Sequence, residues 1–327
     1  MKFIWREIVL AVIMGMILPG IVLNWAVEED GTQATPDIGQ TIPAIPAETK
    51  HRSSMPVTLR HRNGTLETMN MDDYLVGVLL GEMPSTFHQE AKKAQSVVAR
   101  TFARKAFVTG GKHGDGSVCE NAACCQAHIT VEEYLARGGT RQAVEEAAQA
   151  VYATSGYVLT YAGQLIEATY FSCSGGSTED AVAVWGTDFP YLRAVESPGE
   201  EHAAHFSDTV YFTKQEFLDR LGMNLTGDPA GWIGEITYTA GDGIDTIQIG
   251  GTAFRGTQLR SLLSLRSTAF TMIPDGGGIT IISRGFGHRV GMSQYGADAM
   301  GLSGSTYQEI LAYYYGGTSL ELTNDDS

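Results

Sequence analysis

Apolar positions recur along this chain at two different periods, and an unbroken apolar run precedes both. From residue 8 to 27 the run IVLAVIMGMILPGIVLNWAV is apolar throughout, long enough for a helix to cross about 30 Å of hydrocarbon. Residues 28–55 carry prolines and threonines without an apolar period and read as an extended tether. Residues 57–62 are strand-like, and Asn63-Gly64 supplies the hairpin turn. Helical spacing follows. Asn70 is a candidate N-cap, Asp72 and Asp73 sit in the first turn, and Tyr74, Leu75, Val78 and Leu79 share one face. Pro84 ends that helix, and Thr86 with Gln89 predicts a capping box that starts a second one. A polar, alanine-rich helix is expected over 141–153, closed by Gly156.

From Tyr157 the period changes to strands. Residues 157–161 and 165–172 flank Ala162-Gly163, and residues 236–239 and 244–249 flank Gly-Asp-Gly, which predicts two hairpins. Thr213 is expected to cap a helix reaching Leu221, and Thr257 one over 258–265. Strands at 270–273 and 279–283 lead to a glycine-rich segment, and a last helix runs from Thr306, boxed by Glu309, to Gly316. The expected fold class is α+β: mixed helices and antiparallel hairpins forming a groove, preceded by one transmembrane helix. The expected domains are a cytoplasmic N-terminus (1–7), a signal-anchor (8–27), an extracytoplasmic linker (28–55), an ectodomain (56–320) and a tail (321–327).

Charge sets the orientation. Lys2 and Arg6 precede the apolar run, while Glu28, Glu29 and Asp30 follow it, so the rest of the chain is expected outside the cytoplasm. The run exceeds a usual signal-peptide core and has no small-x-small cleavage site behind it, which favours an uncleaved anchor. A net charge of −15 argues against nucleic acid as a partner.

Candidate chemistry lies in three places. Glu82 stands at the break between the first two helices, between Leu80 and Met83, with Arg100 and Arg104 on the next helix. A carboxyl group in such an apolar elbow is expected to have a raised pKa and to donate a proton near neutral pH; a solvated glutamate at a helix end is the plain alternative. Cys119, Cys124 and Cys125 lie in KHGDGSVCENAACCQAH with His113, and three thiolates with an imidazole suit a closed, structural zinc site. A disulfide, with Cys173 as a possible partner, remains open, as does His128 for the nitrogen ligand. Ser172–Ser177 and the segment around His288, Gln294 and Tyr295 read as polar, glycine-rich loops lining a ligand groove or closing a packing corner.

LLGEMPSTFHQEAKKAQSVVARTFARK, YFSCSGGSTED, WGTDFPYLRAVESP and SRGFGHRVGMSQYGADAMG together resemble the stage II sporulation protein D family, the membrane-anchored lytic transglycosylases of endospore formers. The likeness covers residues 55 to 320 with four motifs in the family's order. It implies cleavage of bonds between N-acetylmuramic acid and N-acetylglucosamine in denuded peptidoglycan strands, leaving 1,6-anhydro ends, during sporulation engulfment. It makes Glu82 the catalytic acid. It assigns substrate binding to Arg100, Tyr191 and Arg193, the last replacing the family's lysine, with Ser174, His288 and Gln294 lining the groove. It gives a structural zinc held by His113, Cys119, Cys124 and Cys125. The partners it implies are stage II sporulation proteins P and M, in the space between mother cell and forespore. A non-catalytic, wall-binding scaffold of the same fold is the alternative.

Overall fold

In the computed structural model, which describes residues 55–323, the first helix begins as its cap predicts. Asn70 accepts a hydrogen bond from the Asp72 N–H at 2.8 Å, and α1 (Met71–Glu82) leaves directly from the hairpin of β1 (Pro56–Arg60) and β2 (Leu66–Asn70). Helix α2 (Gln89–Thr109) starts at a different residue from the expected Thr86: His88 is its cap and accepts from the Glu90 N–H. The reason is local. The Phe87 N–H donates to the Pro84 carbonyl at 3.1 Å, so residues 84–87 form a turn that buries the Phe87 ring. The membrane span, the segment before it and the tether expected up to residue 54 lie outside the described residues. Among the described residues no helix is long and apolar enough to cross a membrane.

The remaining elements follow in order: β3 (Val118–Cys119), α3 (Val131–Ala136), α4 (Arg141–Ala153), β4 (Tyr157–Tyr161), β5 (Gln164–Leu165), β6 (Tyr170–Phe171), α5 (Ala181–Trp185), β7 (Ser207–Thr213) and α6 (Lys214–Leu221). Then come β8 (Ile233–Tyr238), β9 (Ile244–Ile249), β10 (Thr252–Arg255), α7 (Gly256–Leu262), β11 (Phe270–Pro274), β12 (Gly278–Arg284), β13 (Met292–Ser293), α8 (Gln294–Leu302), α9 (Tyr307–Tyr314) and β14 (Ser319–Leu322). Small sheets ordered β2-β1-β3, β14-β4-β5, β13-β6, β10-β9-β8 and β11-β12-β7 are antiparallel except at β1·β3 and β6·β13. The α+β expectation holds. The long strand expected at 165–172 is instead two short pieces, because Tyr170 and Phe171 leave the hairpin to pair in parallel with Met292 and Ser293. Helix α7 starts at Gly256 rather than after Thr257, since a Cβ at Gly256 would meet the Ile244 carbonyl.

Two cores result. In the first, Ala91, Ala94, Val97 and Val98 of α2 pack with Leu159 of β4 and Ile310, Leu311 and Tyr314 of α9. The second lies wholly within residues 207–284 and holds Phe217, Ile247, Ile249, Leu259, Ile279 and Ile281. One buried arginine clamps the two. Arg289 pairs with Glu179 at 3.2 Å and donates to the carbonyls of Ser174, Ser177 and Gly241, the last at the β8–β9 turn.

Candidate active site

Glu82 is the last residue of α1, and its surroundings come from a loop far along the chain. Its Oε1 accepts from the Ala127 N–H at 2.5 Å, and the Gln294 amide nitrogen lies 3.5 Å from Oε2. The approach of Ala127 depends on two small residues. A Cβ at Gly77 would fall 2.3 Å from the His128 ring, and one at Gly81 would press on the Ala127 backbone at 3.1 Å. Glycine at both positions costs α1 about 1 kcal/mol each in helix propensity. In return the segment from Ala127 to Ile129 lies flat on the helix, with the Ile129 N–H on the Gly77 carbonyl. Burial pushes the Glu82 carboxyl above its ordinary pKa, against the opposing hydrogen bonds of Ala127, Tyr170 and Gln294. The sequence reading of Glu82 as a perturbed acid matches this environment.

Glu82 opens onto a pocket of about 600 Å³, within the range of small-ligand sites. Aromatic side chains wall it: Phe102, Tyr170, Phe171, Trp185, Phe189 and Phe286. Trp185 is 42% exposed and stands 5.3 Å from the His288 ring. A second carboxylate in the lining, Glu167, is held by Lys105 at 2.6 Å. Lys112 supplies the cation of the lining, and its ammonium donates to the Cys124 carbonyl.

Of the residues expected to bind substrate, the structure brings His288 and Gln294 to this pocket. Burial, and the charge of Arg260 next, push His288 down to about 4, so the ring is neutral; its Nδ1 accepts from the Val290 N–H. The other four stand elsewhere. Arg100 is 2% exposed; its guanidinium pairs with Asp72 at 3.1 Å and donates to the Thr154, Val151 and Tyr157 carbonyls. It braces α1, α2 and α4 and does not line the pocket, which corrects the expectation of a substrate contact. Ser174 is fully buried, with its hydroxyl and N–H both on Glu200. The Tyr191 hydroxyl accepts from the Glu167 N–H at 3.0 Å, so it supports the pocket wall from behind. Arg193 lies on the surface, paired with Asp188 at 2.9 Å. The glycine-rich segments around Ser174 and Phe286 both reach the pocket lining and pack closely on each other. A Cβ at Gly175 would sit 2.5 Å from the Gly285 nitrogen, and one at Gly285 2.5 Å from the Ser174 carbonyl.

The cysteine loop forms the rim beside Glu82, with Cys124 and Cys125 in the lining. Ligand atoms of His113, Cys119, Cys124 and Cys125 all lie within 4.8 Å of one another. The Cys125 Sγ is 3.6 Å from His113 Nε2 and 3.9 Å from the Cys124 Sγ. A tetrahedron with ligand bonds of about 2.3 Å has edges of about 3.8 Å, so the four groups fit one metal ion. All four cysteines are free thiols, against the disulfide alternative. His128, the other nitrogen candidate, is stacked on Tyr74 at 5.4 Å. Against burial, hydrogen bonds from the Asn121 backbone, His113 and the neighbouring thiols draw Cys119 down to about 7, while burial and Cys119 push Cys125 up to about 12. Three sulfurs and an imidazole gathered this closely suit a soft cation, which would hold the sulfurs as thiolates.

Tyr170, Gln126 and Ala127 were not legible as site residues. The available signal was the Gly77–Gly81 spacing, which marks a close approach to a helix face.

An α+β protein with a half-buried carboxyl group, held by neutral donors, under an aromatic-walled pocket is the class that fold and site define. Residues 60–161 match the family described as Stage II sporulation protein. Stage II sporulation protein D of Bacillus subtilis (strain 168) is 38% identical over 280 residues, covering 84% of this chain and 81% of that protein. The protein of the same name from Bacillus amyloliquefaciens is 35% identical over 297 residues, covering 89% and 86%. The chain belongs to the Stage II sporulation protein D family. It is also 29% identical over 304 residues to a Bacillus subtilis protein named amidase enhancer, covering 75% of this chain and 40% of that protein.

Proposed function

We propose that this chain is a peptidoglycan lytic transglycosylase of sporulation engulfment, acting on denuded strands with Glu82 as its acid. The observation that carries the reading is the half-buried Glu82 carboxyl, raised in pKa by burial and open to a pocket whose other carboxylate is paired with Lys105. A hydrolase needs two working carboxylates, one as acid and one to activate water or attack. A single acid suffices when the substrate attacks itself. Glu82 gives its proton to the glycosidic oxygen, and the bond from C1 of the muramic acid to that oxygen breaks. The 6-hydroxyl of the same sugar then bonds to C1 and passes its proton to the Glu82 carboxylate. The acid is restored and a 1,6-anhydro end remains. Trp185 offers a sugar face to stack on, Gln294 and neutral His288 offer polar contacts, and Lys112 offers a cation to an anionic substituent.

His113, Cys119, Cys124 and Cys125 would hold zinc with no open position, so the ion would close the loop rather than activate water. The reading includes an anchor at residues 8–27 and stage II sporulation proteins P and M as partners.

Product analysis tests the reaction. Denuded strands incubated with the protein yield 1,6-anhydro ends, and Glu82→Gln yields none. A relative named amidase enhancer favours one rival, a wall-binding protein that stimulates another enzyme. Strands left intact by the wild type, with partner amidase activity raised by its addition, would establish that rival instead.

A further inference from the structure

Two lysines stand at the candidate active site, and they are answered differently. Lys105 pairs with Glu167 at 2.6 Å, and that carboxylate belongs to the pocket lining. Lys112 is itself in the lining, exposed, and no carboxylate pairs with it among the described residues. The acidic neighbours on its own loop are taken: Asp115 by Arg60 at 2.6 Å, and Glu120 by the Arg62 N–H at 2.8 Å. The Cys124 carbonyl accepts one N–H of the Lys112 ammonium, which leaves two to give. The charge is felt inside the pocket. After burial and Arg260 it helps to hold His288 neutral, and His288 stands beside Trp185 in the wall. The chain as a whole has the opposite character, with a net charge of −15. An anionic ligand therefore meets a repulsive background and one local attraction, strengthened by aromatic walls of low polarity.

We propose that Lys112 is the residue by which the pocket selects denuded strands: its ammonium takes the free lactyl carboxylate of a muramic acid. The inference rests on the reading of the pocket as a glycan-strand site and names the substituent that the site recognises. A stem peptide is joined to that lactyl group through an amide, so its presence removes the charge. The ammonium can give a charge-assisted hydrogen bond to the carboxylate with both partners ionised, and only the weaker ion–dipole bond to an amide carbonyl. On binding a peptide-bearing sugar, Lys112 would lose water without gaining a counter-charge, and that difference is the selection. Glu167 cannot take the place of the ligand, because Lys105 already holds it. The plain alternative is that Lys112 only ties down the cysteine loop through the Cys124 carbonyl. That role makes no distinction between a carboxylate and an amide.

The test is a binding comparison that does not depend on glycan cleavage. The full chain carrying Glu82→Gln is titrated calorimetrically with denuded strands, and with the same strands after their lactyl carboxylates have been capped as methyl amides. The cap removes the charge without adding the bulk of a peptide. The uncapped strands are expected to bind about tenfold tighter, the size of one hydrogen bond between charged groups, and added salt should narrow the gap. Adding Lys112→Met should weaken the uncapped strands about tenfold and leave the capped ones unchanged, so that the preference disappears. Should Lys112→Met not fold, Lys112→Gln, which keeps a donor for the Cys124 carbonyl, gives the same result. Equal binding of the two strands, no binding of either, a preference that survives the loss of Lys112, or an equal loss on both strands overturns the proposal. Strands bound with the expected preference but left uncut by the wild type would count against the lytic activity alone.

Discussion

Glu82 is half-buried and Glu179 fully buried, and burial pushes both carboxyl groups up, yet the two regions they serve could hardly differ more. Glu179 lies at the junction of the two cores, 1% exposed, with the Arg289 guanidinium at 3.2 Å and the Thr239 hydroxyl at 2.9 Å. Glu82 has neutral donors for company and opens onto a 600 Å³ pocket. Burial by itself therefore does not mark a catalytic acid. What separates the two is whether a cation answers the buried charge and whether a ligand can reach it. Glu179 is a fastener, and on the proposed reading Glu82 is the group with a proton to give.

The comparison can be broken most directly at Glu82. Glu82→Gln should lower kcat on denuded strands by roughly 10²- to 10⁴-fold, the usual contribution of a general acid, without destabilising the fold. Glu179→Ala should do the opposite. It strands Arg289 in the interior, and chemical denaturation is expected to show a loss of about 3–5 kcal/mol, with any surviving folded protein still cleaving strands. Asp72→Ala, which leaves Arg100 without its carboxylate, should resemble Glu179→Ala rather than Glu82→Gln.

Acidity sharpens the contrast. Because the folded-state pKa of Glu82 lies above its unfolded value, its ionisation in the folded protein is penalised. That penalty is absent below the unfolded carboxylate range, grows as pH rises, and is complete above the folded pKa. Glu82→Gln should therefore melt higher than the parent at neutral pH, with the difference closing on acidification in a pH series of thermal melts. Activity of the parent should fall as pH rises through the same raised pKa, since the acid must be protonated. The smallest effect is expected at Arg193. Its surface pair with Asp188 contributes about 0–1 kcal/mol, so Arg193→Ala should barely move the melt, and KM should stay within a factor of about two if the side chain has no substrate contact.

Much of the fold was written locally. Asn70, Thr213 and Thr306 are caps where short-range hydrogen bonding decides the outcome, and all three start helices in the structure. Thr86 failed as a cap because burial of Phe87, a tertiary event, claimed the turn. The perturbed environment of Glu82 was legible because a helix-breaking proline two residues after it advertises an elbow. The four metal-type ligands were legible because they lie within thirteen residues of one another. Arg100, Tyr191 and Ser174 were misjudged for one reason: polarity in a motif was read as exposure, and each polar head meets a partner inside the fold. Tyr170 and Gln126 could not be read, because the hydroxyl of one meets the amide of the other only in the folded chain.

The passage of residues 127–129 over Gly77 and Gly81 also sets an order of events. The N–H that touches Glu82 belongs to a segment that lies beyond α2 and the His113–Cys125 cluster in the chain. Helix α1 can be complete while its last residue still faces water as an ordinary glutamate. On the proposed reading, a chain whose returning segment has not docked is folded in most respects and lacks its acid.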